Sequence, residues 1–68
     1  MGYTDTVTRS GKREGSSSIW YYNDEQFLAV DALNDPIAYT MGRKILAAGN
    51  NIPKTAAADP ATNLKSFT

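Results

Sequence analysis

The sequence predicts a mostly α-helical chain with extended arms, in which two short helices over residues 24–33 and 36–48 lie between a polar arm and an irregular tail. Two observations predict this fold class. Bulky apolar residues concentrate between Ile19 and Ile52, and two helix-start signals, at Asn23 and at Asp35-Pro36, fall inside that stretch. The chain therefore divides into an arm (1–18), an aromatic segment with a two-helix unit (19–52) and a tail (53–68).

The arm is rich in Gly, Ser and Thr and carries a small basic cluster at Arg9, Lys12 and Arg13. Segments of this composition bury little apolar surface, so we expect an extended, polar conformation.

An aromatic strand follows the arm. The run from Ile19 to Tyr22 has high strand propensity, and strand alternation points Trp20 and Tyr22 to one face and Ile19 and Tyr21 to the other. Because one short strand cannot bury both apolar faces, it either packs on the following helices or joins the sheet edge of a partner.

The first helix is predicted from its N-terminal signal. Asn23 is a favoured N-cap, and Gln26 at the third helical position can return a hydrogen bond to it. Phe27, Val30 and Leu33 then recur at helical spacing, which predicts a helix over residues 24–33.

The second helix begins at Asp35-Pro36, because the residue before a proline disfavours the α conformation and Pro suits the first helical position. Ile37, Met41 and Ile45 recur every four residues and form an apolar stripe. Gly49 is a typical C-terminal cap, so we expect the helix to end near residue 48.

The tail has no sustained periodicity. Leu64 and Phe67 are three residues apart and form a candidate apolar hook that anchors this segment.

Composition argues against several chemistries. The 68 residues contain no Cys and no His, which excludes disulfides, typical zinc sites and a histidine base. The acidic residues are explained as helix starts, and no Ser or Thr lies in a nucleophile motif. We therefore predict no enzyme activity, no catalytic residue, no cofactor and no metal.

Charge predicts little affinity for nucleic acid. Arg9, Lys12 and Arg13 with a stacking Trp20 form a candidate nucleic-acid surface, but seven basic and seven acidic residues leave the chain neutral. Non-specific binding rests on uncompensated cations, so binding should be weak.

The sequence has no run of about 20 apolar residues and no signal-peptide core. The expected location is a virion or the cytoplasm, without secretion by a cleavable signal. The pattern Met1-Gly2-x-x-x-Thr6 matches an N-myristoylation motif. Such a match arises easily by chance in a Thr-rich chain, so we predict an unacylated N-terminus.

Several short motifs carry a family resemblance. Met1-Gly2-x-x-x-Thr6, the segment Ser17–Asn23, and Asp35-Pro36-x-x-Tyr39-Thr40 followed by Lys44 and Ile52-Pro53 resemble the small internal capsid protein of picornaviruses. The resemblance implies a mostly extended chain that lines the inside of a viral shell.

The predicted function is that of a non-enzymatic structural subunit of a large assembly. We expect a minor or accessory protein of a virus or phage particle that links neighbouring subunits. The alternatives are a soluble adaptor that docks a partner through its helical pair and, third, a small nucleic-acid binder. The expected partners are other protein subunits. The predicted partner-binding residues are Ile19, Trp20, Tyr21, Tyr22, Phe27, Ile37, Met41, Ile45, Leu64 and Phe67.

Overall fold

Three antiparallel strands in the order β1-β2-β3 form the centre of the computed structural model, which describes residues 2–68. The strands are β1 (Asp5–Ser10), β2 (Ser17–Asn23) and β3 (Gln26–Leu33). Two helices follow, α1 (Pro36–Ala47) and α2 (Lys54–Ala58), and the chain closes with a 3-10 turn over Leu64–Phe67. The fold has about as much strand as helix, so the prediction of a mostly α-helical chain is wrong.

The predicted alternation of the aromatic strand is present in β2. Trp20 and Tyr22 are fully buried on the inner face of the sheet, whereas Ile19 is exposed and Tyr21 half-buried on the other face. The strand is central, since it pairs with β1 on one side and β3 on the other. The backbone N–H and C=O groups of β2 are therefore hydrogen-bonded within the chain.

The predicted helix over residues 24–33 is a strand instead. Asp24 has a φ of 53° and lies in the tight turn between β2 and β3. The polar residues that suggested a helix N-cap at Asn23 therefore form a hairpin turn. A register shift pairs Tyr22 with Phe27 but Tyr21 with Ala29, which leaves Leu28 as an extra residue. Because of this bulge, Phe27 and Val30 both face the core although they are three residues apart, and their spacing imitates a helical period.

The second predicted helix is present as α1, but its buried face is shifted from the predicted stripe, of which Ile45 is buried, Met41 packs at the edge of the core and Ile37 is exposed. The Asp35 carboxylate caps the helix by accepting from the Ala38 N–H at 3.3 Å. The buried residues are Ala38, Gly42 and Ile45, whereas Ile37 remains 69% exposed and Met41 half-buried. Small residues on this face let the helix approach the sheet closely.

Both ends of the chain join the core. The segment expected to be an extended arm contributes β1, and the segment expected to be an irregular tail contributes α2 and the 3-10 turn. The core is formed by Trp20, Tyr22, Phe27, Val30, Ala38, Ile45, Ile52, Ala57 and Leu64. The helices within residues 2–68 are too short and too polar to span a bilayer.

Candidate functional site

The residues predicted to bind a partner fall into three groups. Trp20, Tyr22, Phe27, Ile45 and Leu64 are buried in the domain's own core. Tyr21, Met41 and Phe67 are half-buried, and Ile19 and Ile37 are exposed. The predicted partner-binding role stays a prediction, and the exposed and half-buried members are the ones that a partner could reach.

The buried aromatic residues have internal hydrogen-bond partners. The indole Nε1 of Trp20 donates to the Ser18 hydroxyl at 2.9 Å, and the hydroxyl of Tyr22 donates to the carbonyl of Ile52 at 2.7 Å. Burial raises the pKa of Tyr22 to about 12, because the phenolate would lose its hydration. These two side chains therefore connect β2 to the interior of the domain.

One face of the sheet is uncovered within residues 2–68. Its apolar and aromatic members, which we call the outer face, are Tyr3, Ile19, Tyr21 and Leu33, with exposures of 53% for Tyr3, 38% for Ile19 and 63% for Leu33. The rings of Tyr3 and Tyr21 meet edge to face with centroids 5.0 Å apart. The hydroxyl of Tyr21 donates to Asp31 at 2.9 Å, which raises the pKa of Tyr21. These contacts fix two aromatic rings at the surface.

Arg9 is a buried cation on the inner face of β1. Its guanidinium donates to the carbonyl oxygens of Asp59 and Thr62, each at 2.8 Å. Three longer bonds of 3.3 Å go to the carbonyls of Ala56, Ala57 and Pro60. Burial lowers the pKa of Arg9, and the nearby Asp35 and Asp59 carboxylates oppose that shift. The side chain organises the end of α2 and the segment after it, and it is not directed toward an external phosphate.

A cleft of about 250 Å³ lies between the β1–β2 loop and the start of α1. We call it the loop cleft. Lys12 and Arg13 line it from the loop, Asp35 and Ile37 from the start of α1, and Pro60 from the C-terminal segment. Sequence reasoning placed Lys12 and Arg13 on a solvated arm and did not bring them together with Asp35. No local signal reports a contact between segments that are more than twenty residues apart.

Metal ligands are not grouped in the described part of the chain. Residues 2–68 contain no cluster of three or more His, Cys, Asp or Glu side chains that could hold a metal ion. The carboxylate of Asp5 instead pairs with Lys54 at 2.6 Å, which joins β1 to α2 and lowers the pKa of Asp5.

Fold and surface together define a small α+β domain in which, over residues 2–68, helices cover one face of the sheet and leave the other open. A family model described as "Reductase C-terminal" matches residues 1–68. The chain therefore belongs to the family of reductase C-terminal domains. No solved structure matches the chain.

Family membership corrects the functional predictions. The resemblance to the picornavirus capsid protein is wrong, and so is the assignment to a virus or phage particle. The prediction of a non-enzymatic structural subunit is also wrong, because the family consists of C-terminal domains of reductases. The alternative of a soluble adaptor has no support. Met1, the first residue of the acylation pattern, lies outside the described residues.

The misleading motifs have local explanations in the fold. Asp35-Pro36 is the start of α1, and the aromatic run from Ile19 to Tyr22 is the central strand. Both are common structural signals that unrelated folds share, so their presence in a capsid protein carries no functional information.

Proposed function

We propose that this chain functions within a reductase as its C-terminal domain and that the outer face packs against the remainder of the enzyme. The observation that carries this proposal is the uncovered outer face, with Tyr3, Ile19, Tyr21 and Leu33 at the surface beside a fully formed core. Exposed apolar patches of this kind mark interaction sites. A domain that belongs to a larger enzyme has its partner surface supplied by the rest of that enzyme.

The chemistry of the outer face fits an interface between domains. Aromatic residues are enriched in such interfaces because they bury a large area at low entropic cost. Tyr21 is already held by its ring contact with Tyr3 and by its hydrogen bond to Asp31, so little further ordering is needed on docking.

A domain exchange tests the proposal. The C-terminal domain of a reductase of the same family is replaced by this chain, and the reductase activity is compared with that of the truncated enzyme. We expect the chimera to be at least tenfold more active than the truncated form. Ile19→Asp combined with Tyr21→Asp should remove that gain, because two charges would be buried at the interface.

Thr40→Asp, at an exposed position of α1, is the matched control and should leave the activity of the chimera unchanged. An inactive chimera would contradict the proposal. Equal activities of the outer-face variant and the control would exclude the outer face as the docking surface.

A further inference from the structure

The loop cleft has an excess of positive charge. Its lining includes three cations, Arg9, Lys12 and Arg13, and one carboxylate, Asp35, which gives a net formal charge of +2. Asp35 is already engaged as the cap of α1, where its Oδ1 accepts from the Ala38 N–H. The Asp59 carboxylate also lies near Arg9, which leaves a net formal charge of +1 around the cleft, and the field there still favours an anion.

Two of the three cations are available to a ligand. Within residues 2–68, the side chains of Lys12 and Arg13 form no hydrogen bond and no ion pair. Arg9 differs, because its donors are taken by backbone carbonyls, and it contributes charge without a free hydrogen bond. Lys12 and Arg13 can thus donate directly to an oxyanion.

Part of the cleft lining is apolar. Pro36, Ile37, Pro60 and Leu64 form it, and Ile37 is left 69% exposed in the folded chain. An inorganic anion would leave this apolar surface in water. A ligand with an apolar body would cover it and gain the corresponding burial energy.

The loop that carries the two free cations is held in place. The Gly11 N–H donates to the Ser16 carbonyl at 2.9 Å, and the Ser16 hydroxyl donates to the Arg13 carbonyl at 2.6 Å. A Cβ at Gly11 would overlap the Ser16 hydroxyl and lie 2.8 Å from Asp35 Oδ2, so the loop approaches α1 as closely as a glycine allows. A loop fixed in this way costs little entropy to order when a ligand binds.

From these observations we infer that the loop cleft binds a small organic anion with an apolar body, of the class of aromatic carboxylates. The oxyanion lies between Lys12 and Arg13, and the ring packs on Ile37 and the two prolines. At about 250 Å³ the cleft is smaller than the roughly 300–1,000 Å³ of sites for drug-sized ligands, which restricts the ligand to about one ring. The inference does not involve the outer face and is independent of the proposed docking.

Titration of the 15N-labelled chain with benzoate, followed by amide chemical shifts, tests this inference. We expect saturable shifts confined to residues 11–16 and 35–38. Benzyl alcohol and benzylammonium, which keep the ring but lack the negative charge, should bind at least tenfold more weakly. Inorganic phosphate, which has charge without a ring, should also bind at least tenfold more weakly.

Two variants identify the groups responsible. Lys12→Gln combined with Arg13→Gln should weaken benzoate binding about tenfold or more, and Ile37→Ala should weaken it several-fold, whereas Lys44→Gln removes an exposed cation of α1 and should have no effect. All four substituted positions are exposed, so the fold should persist, and the amide spectrum reports it directly. Shifts that do not saturate, phosphate binding equal to that of benzoate, or equal effects of the loop variant and the control would each overturn the inference.

Discussion

The guanidinium of Arg9 is placed where five backbone carbonyls of the C-terminal segment converge. Backbone carbonyls outside regular helices need partners when they are buried, since an unpaired one costs roughly 1–3 kcal/mol. A planar group with several donors can satisfy carbonyls from successive residues, which a point-like ammonium cannot do. Arg9 therefore holds residues 56–62, which include the end of α2, against β1.

Replacing Arg9 by Met should lower the free energy of unfolding by about 2–4 kcal/mol, because the carbonyls of Ala57, Pro60 and Thr62 lose their donor at once. Arg9→Lys should recover only part of that loss. Urea unfolding followed by circular dichroism measures both changes. Arg13→Met, in the exposed loop, is the control and should change stability by less than about 0.5 kcal/mol. A loss for Arg9→Met no larger than the control would show that the carbonyls do not depend on this side chain.

The hydroxyl of Tyr22 gives a pH-dependent contribution to stability. Its pKa is raised to about 12 in the fold, above the value of about 10 in an unfolded chain. The unfolded state therefore loses its proton first, and the contribution is complete below pH 10 and is lost as the pH rises toward 12. We expect the urea midpoint of the wild type to fall over this range more steeply than that of Tyr22→Phe.

At neutral pH, Tyr22→Phe should cost about 1 kcal/mol, because the buried carbonyl of Ile52 loses its donor. Tyr39→Phe changes an exposed tyrosine and serves as the control. Parallel pH profiles for the wild type and Tyr22→Phe would contradict the assignment of this effect to Tyr22.

Among the elements, α1 depends on the absence of a side chain at Gly42. A Cβ at this position would lie 2.7 Å from Cγ1 of Val30 and 3.4 Å from the Trp20 ring. The helix therefore rests on β3 and β2 at the distance that a glycine permits. Glycine normally weakens a helix by about 1 kcal/mol relative to alanine, so its presence here is explained by packing.

Gly42→Ala should destabilise the domain by about 1–3 kcal/mol despite the better helix propensity of alanine. Thr40→Ala, on the exposed side of the same helix, should be neutral or slightly stabilising. Val30→Ala creates space beneath position 42, so the double variant should lose less stability than the sum of the two single changes. Strict additivity in urea unfolding would show that the two side chains do not meet.

The β2–β3 hairpin is also held by a residue from a distant segment. The Asn51 side chain accepts from the Phe27 N–H at 2.8 Å and donates to the Glu25 carbonyl at 3.0 Å. The Asn51 amide thus binds the Phe27 N–H and the Glu25 carbonyl beside the β2–β3 turn. The segment after α1 therefore stabilises this turn.

For the whole molecule, the dimensions distinguish a folded domain from a chain with extended arms. The Cα radius of gyration is 10.8 Å, which matches the roughly 11 Å expected for a folded domain of this length and not the roughly 25 Å of an unfolded chain. Small-angle X-ray scattering of the dilute chain should therefore give a protein radius near 11–13 Å once the hydration layer is included. A value above about 20 Å would mean that the isolated chain does not fold by itself.

The sequence alone determined the features that depend on neighbouring residues. Asp35-Pro36 predicted the start of α1, Gly49 its end, and the alternation of residues 19–22 the two faces of β2. These signals are local, because a cap, a proline ring and a strand pleat act within a few residues. The lack of Cys and His likewise follows from the sequence without any structure.

Tertiary structure decided the rest, because the deciding contacts join distant segments. In β3, a bulge lets Phe27 and Val30 both reach the core although they are three residues apart. No local signal distinguishes this three-residue spacing from that of a helix. Arg9 is structural because Thr62 lies beside it, 53 residues further along the chain. The buried face of α1 and the charge of the loop cleft are fixed in the same way, by the segments that the sheet brings against them.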